Sequence, residues 1–503
     1  MKKIIYILLI LSFTYYSCED LEVKNLNSPD AERALNNPSD IIKLLEGGNL
    51  TFFKALVAYY GVHYQVLADQ YTTTMDNENL IAFSNEPRQK IPNNKNNDGV
   101  YALYYPLYNF SNCIFTANII LELIDNGKKI IIETEGEEGT EEVDKTKEVE
   151  AVCYFLKGVS LGYIGAIFDK GFIVNYDTDI DGIEFSNYKE VLEEGLKFID
   201  KSIELTSQIE NFSYTYMRKA NMDKSRFLQM CNSYAARILI SKPRTKAEAE
   251  TLDYQRVVNY AKKGFTEDFY IETTPNVFYS VYVDWCIYNY WDGSAYIPLD
   301  IKVCKLIDNS FPNEYPLDEQ TMLGTVSSSD SRINNYYGYT TKLRYLDATV
   351  NRSLFSNYKH MRFRDEGKAY VAGFMNPMFL KSELQLILAE CYYKTGDLNT
   401  ACNYINATPR VTEGNMPLAK PTDDIEHILH YEYSIELDLA SSFINPWTFM
   451  RRNDLLQKGT ALHMPLPAYE LDNLGIREIY TFGGYDFSFE EGTASTDGWK
   501  AKL

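Results

Sequence analysis

The sequence predicts an all-α-dominated fold of paired helices carrying a loop-rich irregular insert. Three observations predict it. Long segments with apolar residues at helical spacing stand in neighbouring pairs, before residue 264 and again after residue 379. One late pair is joined only by the turn Gly396-Asp397, which suits stacked helical repeats, although no strict 34-residue period is visible. Between the two paired regions, residues 265–378 lose helix-length apolar periods and fill with Tyr, Asn, Asp, Ser and Pro.

Taken in order, Asp40 to about Tyr60 reads as the first helix, after turn signals at Asn27-Ser28-Pro29 and Asn36-Asn37-Pro38. Residues 69–99 are polar and aperiodic, the kind of long irregular stretch that wraps a surface or serves function. Tyr101 to Ile124 reads as a helix with Pro106 near its first turn, and the acidic run Glu133 to Glu142 as a solvated loop. Val149 to Ile167 is the most apolar helix, and Tyr188 to Leu205 is amphipathic. Phe227 to Ile240 and Tyr254 to Lys263 form a pair. Leu380 to Lys394, Leu398 to Ile405 and Asp424 to Ser441 complete the helices. These spans define a helical-repeat part over 40–264 and 379–457, an insert over 265–378 and an irregular C-terminal segment over 458–503, all within one domain, 40–503.

The N-terminus has a different character. Lys2 and Lys3 precede the apolar run Ile4 to Leu11, which is shorter than the ~20 residues a membrane span needs. These are the parts of an export signal over residues 1–17. A cut before Cys18 leaves a thiol that carries lipid, and buried acyl chains then hold a protein body to a membrane. A cut nearer Ser17 leaves an ordinary secreted protein. Glu19, Asp20 and Glu22 begin a polar tether and leader, 18–39.

The 503 residues carry 49 Lys and Arg against 70 Asp and Glu, a formal net charge of -21. That argues against nucleic acid and against adhesion to an anionic bilayer through a basic patch. The seven cysteines beyond Cys18 contain no CxxC pair, and those in apolar helical segments (Cys113, Cys153, Cys231, Cys391) read as buried thiols. No GxSxG, P-loop or GxGxxG is present. His427 and His430 stand in HILH, without the intervening acid of a zinc-protease helix, and Asp177, Asp179 and Asp181 match no EF-hand. The sequence therefore gives a hydrolase no residue support, and calls for no metal and no cofactor.

Several landmarks share one order along the chain: CEDLEVKNLNSPD from Cys18, then the Asp-Thr-rich stretch and Glu86-Pro87-Arg88. YYPLYNFSNCIFTANIIL follows with Tyr108 and Asn118, then EVEAVCYFLKGVSLGYIGAIF, then Ala235-Ala236-Arg237. Glu383, Ala389, Glu390 and Gly396 come next, then Trp447 with Arg451 and Arg452, and LPAYELDNL closes the series. In this order the chain resembles the SusD/RagB family of outer-membrane nutrient-binding lipoproteins of the Bacteroidetes, over nearly all of the mature length. Lys157-Gly158 departs from the Arg-Ala motif of that family, and Glu432-Tyr433-Ser434 from its Glu-Arg-Arg. The resemblance implies tetratricopeptide-like helix pairs, a lipid on Cys18 and exposure at the outer-membrane surface. It also implies a SusC-like TonB-dependent transporter as partner, an oligo- or polysaccharide ligand, and no catalysis. Trp447, Arg451 and Arg452 fall in its packing motif.

A sugar presents an apolar ring face and many hydroxyls, so it calls for flat aromatic rings beside Asn, Asp, Gln or Arg. The densest such stretch is VDWCIYNYWDGSAYIPLD, with Trp285, Tyr288, Tyr290, Trp291, Asp292 and Tyr296. Tyr71, Tyr336 and Arg344 are secondary candidates. Loops on a rigid helical frame commonly carry such residues. Besides uptake, a stand-alone surface lipoprotein that binds protein or glycan through its repeats fits the same features.

Overall fold

A computed structural model describes residues 35–74, 79–94, 101–136, 139–179, 182–217, 220–272, 274, 277–282, 286, 295–314, 323–343, 356–363, 375–440, 442–484 and 492–503. The chain starts its first helix, α1 (Pro38–Val57), with Pro38 at the first position and the Asn37 side chain accepting from the Ser39 N–H at 3.0 Å. Ile41, Leu45, Phe52, Phe53 and Leu56 form its buried stripe. After α2 (Gly61–Leu67) come α3 (Tyr101–Asp125) and α4 (Thr146–Ile167). α5 (Tyr188–Gln208) opens on a capping box between Asn187 and Glu190. α6 (Lys224–Ile240) is capped by Asp223, and α7 (Tyr254–Ala261) by Asp253.

Packing follows chain order. α1 lies on α3, α3 on α4, α4 on α5, α5 on α6 and α6 on α7. The series then jumps the insert, with α7 on α9 (Lys381–Lys394) and α9 on α10 (Leu398–Asn406). Neighbour-on-neighbour stacking of helix pairs is how helical repeats build one continuous core. Gly396 turns the last pair with φ +84°, and Asp397 caps α10 through the Thr400 N–H. The final helices, α11 (Ile425–Ile435) and α12 (Asn445–Arg452), close the bundle against α9 and α2.

α4 is the axis. It is buried on nearly every side, as an all-round apolar helix must be. Both α3 and α4 are long and apolar enough to cross a membrane by length and composition, but α4 is mostly buried inside the protein. α4 and α5 approach closely at glycines. A Cβ on Gly195 would stand 2.6 Å from the Gly158 carbonyl, and one on Gly158 2.7 Å from the Gly195 carbonyl. Lys157 has an equally local reason. Its ammonium donates to Asn118 Oδ1 and Asn175 Oδ1, both at 2.6 Å, and lies 4.3 Å from the Phe198 ring centre. The pair that departs from the resembled motif thus serves helix approach and loop anchoring.

The other motif residues pair with one another. Arg237 donates to Glu383 at 2.7 and 2.6 Å, joining α6 to α9, and Arg452 donates twice to Glu390 at 2.7 Å, joining α12 to α9. Arg451 donates to the Leu462, Ala166 and Ser241 carbonyls, and Trp447 to that of Ala461. Buried pairs of this kind fix register more than they add stability.

Three sequence expectations change. The acidic run is an antiparallel hairpin, β1 (Ile131–Gly136) with β2 (Gly139–Asp144), rather than a loop. Glu133 faces Glu142 across it, a like-charge opposition that hid the strand pattern. The helix expected to reach Ser441 ends at Ile435, and in the turns that follow Leu439 takes φ +51°, a conformation that no right-handed helix continues through. The insert, beyond its loops, holds regular elements: α8 (Ile301–Ile307) and the hairpin of β8 (Tyr337–Tyr339) with β9 (Tyr358–His360). Its entry and exit are zipped together where β7 (Phe269–Glu272) pairs with β10 (Met375–Phe379). Here β3 and β4 are Lys170–Gly171 and Ser186–Asn187, and β5 and β6 are Ser213–Tyr216 and Ala220–Asp223. All seven described cysteines are buried, and none is in a disulfide.

Burial holds the Lys157 pKa down at about 8, below the ordinary lysine value of 10.5. The unfolded chain then binds a proton between those values that the folded one does not, so stability rises with pH from about 8 to 10. Melting of wild type and Lys157→Met at pH 7 and pH 9.5 checks this. The wild type should gain relative to the variant at the higher pH, and an unchanged difference would contradict it.

Candidate ligand-binding site

The candidate residues come from three stretches far apart in the chain, and backbone hydrogen bonds bring those stretches together. The Thr72 N–H donates to the Pro298 carbonyl and the Thr74 N–H to that of Tyr296, both at 3.0 Å. Tyr71 bridges to Leu299, and the Ala295 N–H donates to the Lys342 carbonyl at 3.1 Å. The stems of the Tyr71, Tyr296 and Tyr336 stretches therefore share one base. Trp285, Tyr288, Tyr290, Trp291, Asp292 and Arg344 lie outside the described residues. Tyr71, Tyr296 and Tyr336 are described, and all three are buried.

That burial has a chemical cause. The Tyr71 hydroxyl donates to Asp438 Oδ2 at 2.8 Å and stands 3.0 Å from His360 Nδ1. Tyr337 donates to the same carboxylate oxygen at 2.8 Å, and His360 Nδ1 lies 3.2 Å from it. Burial first, then the Asp438 charge, pushes the Tyr71 and Tyr337 phenols well above 10, which keeps them as donors. Cys286, in the aromatic stretch, is buried near Tyr71, and Tyr282 just before the stretch is buried near Cys286 and Asp438. These rings root the candidate loops; they do not form an open platform.

Two further carboxylates from the same short run hold the rest of the insert. Glu432 accepts from Arg332 at 2.8 and 2.9 Å and from Arg410 at 3.0 Å. Glu436 accepts from Ser382 at 3.1 Å, Arg332 at 3.2 Å and Arg362 at 3.3 Å. Arg332 also binds Asp330 at 2.7 Å, and Tyr431 donates to Asp330 at 2.9 Å. Burial raises the Glu436 pKa, and Arg362 and Arg332 oppose that rise. Glu432, where the sequence departs from the resembled Glu-Arg-Arg, thus receives its arginines from other segments.

On the other side of Tyr71, Asp69 accepts from Arg88, from Gln457 at 2.8 Å and from Trp499 Nε1 at 2.8 Å. Buried Lys302 donates to the Ala68 carbonyl at 2.9 Å, and burial brings its pKa down to about 8. The base is therefore fixed from the C-terminal segment, from α8 and from Asp438 in the turn after α11. Among the described residues, no group of three or more His, Cys, Asp or Glu is placed to hold a metal. His430 is buried and His427 exposed, so the two do not converge.

A chemically different feature escaped the sequence reading. Tyr104, Tyr105 and Tyr108 on α3 meet Tyr469 at the surface, with Tyr105, Tyr108 and Tyr469 exposed by 38, 47 and 56%. The repeated tyrosines in YALYYPLYNF carried the signal, but their spacing reads equally as a buried helix face.

No protein-family model matches the chain, and no curated protein matches it. Solved structures do. A surface glycan-binding protein A from Bacteroides uniformis is similar over 88% of this chain and 99% of its own, with TM-score 0.60 and 12% identity. A SusD-like protein from Bacteroides fragilis is similar over 83% and 86%, with TM-score 0.58 and 11% identity. A SusD-like carbohydrate binding protein from the same organism covers 90% and 94%, with TM-score 0.56 and 15% identity. The chain has the SusD-like fold: predominantly helical, with tetratricopeptide-like pairs.

Replacing Arg332 by Met leaves buried Asp330 without the arginine it pairs with and buried Glu432 with Arg410 but not Arg332. The expected loss of stability is about 3–5 kcal/mol, measured by urea unfolding; a loss under about 1 kcal/mol would show the network to be incidental.

Proposed function

We propose that this chain is a non-catalytic lipoprotein of the outer-membrane surface. In this reading it is anchored through Cys18, binds a glycan, and delivers it to a SusC-like TonB-dependent transporter. The observation that carries the reading is the shared base. Three polar, aromatic stretches are rooted side by side in a fold that solved glycan- and carbohydrate-binding proteins also have. A base fixed by buried hydrogen bonds suits a binding site, because groups held in place beforehand lose less entropy on binding. Trp285, Tyr290 and Trp291 stack on the sugar, with Tyr288 and Asp292 interleaved among them in sequence as further contacts. Tyr71, Tyr296 and Tyr336 support the base, and Arg344 belongs to the neighbouring stretch. Tethering next to the transporter mouth raises the effective ligand concentration there, so modest affinity suffices.

Trp285→Ala, Tyr290→Ala and Trp291→Ala test the site by calorimetric titration with glycans the wild type binds. At least one should lose roughly 2 kcal/mol of binding, about thirtyfold, with melting unchanged. Wild-type affinity in all three would remove this stretch from the site.

A further inference from the structure

The tyrosine cluster on α3 has the chemistry of a ligand platform of its own. Tyr104 and Tyr108 stack, with ring centres 5.5 Å apart and planes 20° from parallel. Tyr105 and Tyr469 stand edge-on to Tyr104, at 5.5 and 5.8 Å and at 78° and 85°. The parallel rings offer apolar faces, and the perpendicular ones wall them. The four rings come from two distant segments, so tertiary packing assembles the cluster. Three of the four remain exposed, although aromatic residues with this much area are ordinarily drawn into the core.

Charge and residue type narrow the occupant. From Tyr101 to Leu121 the chain has no Asp, Glu, Lys or Arg, in a protein whose net charge is -21. Glu470, beside Tyr469, is the charge felt at Tyr104. Among the described residues, Glu470 and neighbouring tyrosines are the groups that act on Tyr104, and no cation is there to pair with an anion. All four rings bear hydroxyls, so the edge of each apolar face can hydrogen-bond a sugar hydroxyl. Exposed Ser111 and half-buried Asn112 lie one turn beyond Tyr108, on the same side of α3.

We propose that Tyr104, Tyr105, Tyr108 and Tyr469 form a second, surface-exposed platform for neutral saccharide. It is separate along the chain from residues 283–294 and rests on the saccharide reading given above. Two weak sites on one protein engage a long glycan together and raise its overall affinity. A polymer therefore gains more from the platform than a short oligosaccharide does.

The test uses the full mature chain with neutral α-glucan, β-glucan, mannan and xylan and their short fragments, with a uronate polymer alongside. Wild type, Tyr108→Ala/Tyr469→Ala and Trp291→Ala are compared by affinity electrophoresis and calorimetry. A parallel measurement needs no substitution: tetranitromethane nitration of Tyr105, Tyr108 and Tyr469 in wild type, with and without the polymer. The double variant should melt like wild type and bind the neutral polymer about tenfold or more weakly, and the polymer should protect these tyrosines from nitration. Neutral-polymer binding that is unchanged in the double variant, with no protection, overturns the platform and leaves the saccharide reading standing. Protection by the uronate polymer alone overturns the neutral-ligand assignment. Binding of none of these saccharides by wild type overturns both readings.

Discussion

Three carboxylates within seven residues, Glu432, Glu436 and Asp438, hold the insert to the repeats. Each is buried, and each is met by donors from other parts of the chain: Arg332, Arg362 and Arg410, the Tyr71 and Tyr337 hydroxyls, and His360. Removing such charges from water is costly, and the cost is recovered only when every partner arrives in place. The arrangement thus permits one docking of the insert and disfavours others. The β7–β10 pairing closes the insert at its neck, and the carboxylate run fixes it at its body.

The rest of the site geometry descends from that docking. With Asp438 in position, Tyr71 and Tyr337 are drawn inward, and the strand-like backbone around Tyr71 lies against Leu299. Ala295 then meets Lys342, and the three candidate stretches share a base. The helical part contributes rigidity through its own buried pairs, Arg237 with Glu383 and Arg452 with Glu390. Rigidity beneath, with chemistry carried by loops above, is a common division of labour in binding proteins.

The helices were legible because their signals are local: caps at Asn37, Asn187 and Asp397, a turning glycine at 396, and long 3.6-residue patterns. What was not legible is non-local or chemically ambiguous. The hairpin of β1 and β2 lacks an apolar face and opposes Glu133 to Glu142, so no alternation announced it. Past α11 the backbone of Leu439 leaves the helical region, although its side chain suits a helix. Tyrosine is the deeper ambiguity, with 41 in the chain. Tyr71 and Tyr336 look like ligand contacts in sequence and are core donors, while Tyr108 and Tyr469 look like helix packing and are exposed. A phenol serves either place, and only a distant partner such as Asp438 decides which.

Uptake in partnership is the claim on which the functional reading turns, and one measurement addresses it directly. The tagged protein is extracted in mild detergent from the membranes of its native cells, and its companions are identified and quantified by mass spectrometry. A TonB-dependent barrel recovered in stoichiometric amount is the expected result. Repeated recovery of the protein alone would contradict delivery to a transporter and would favour a stand-alone surface binding protein.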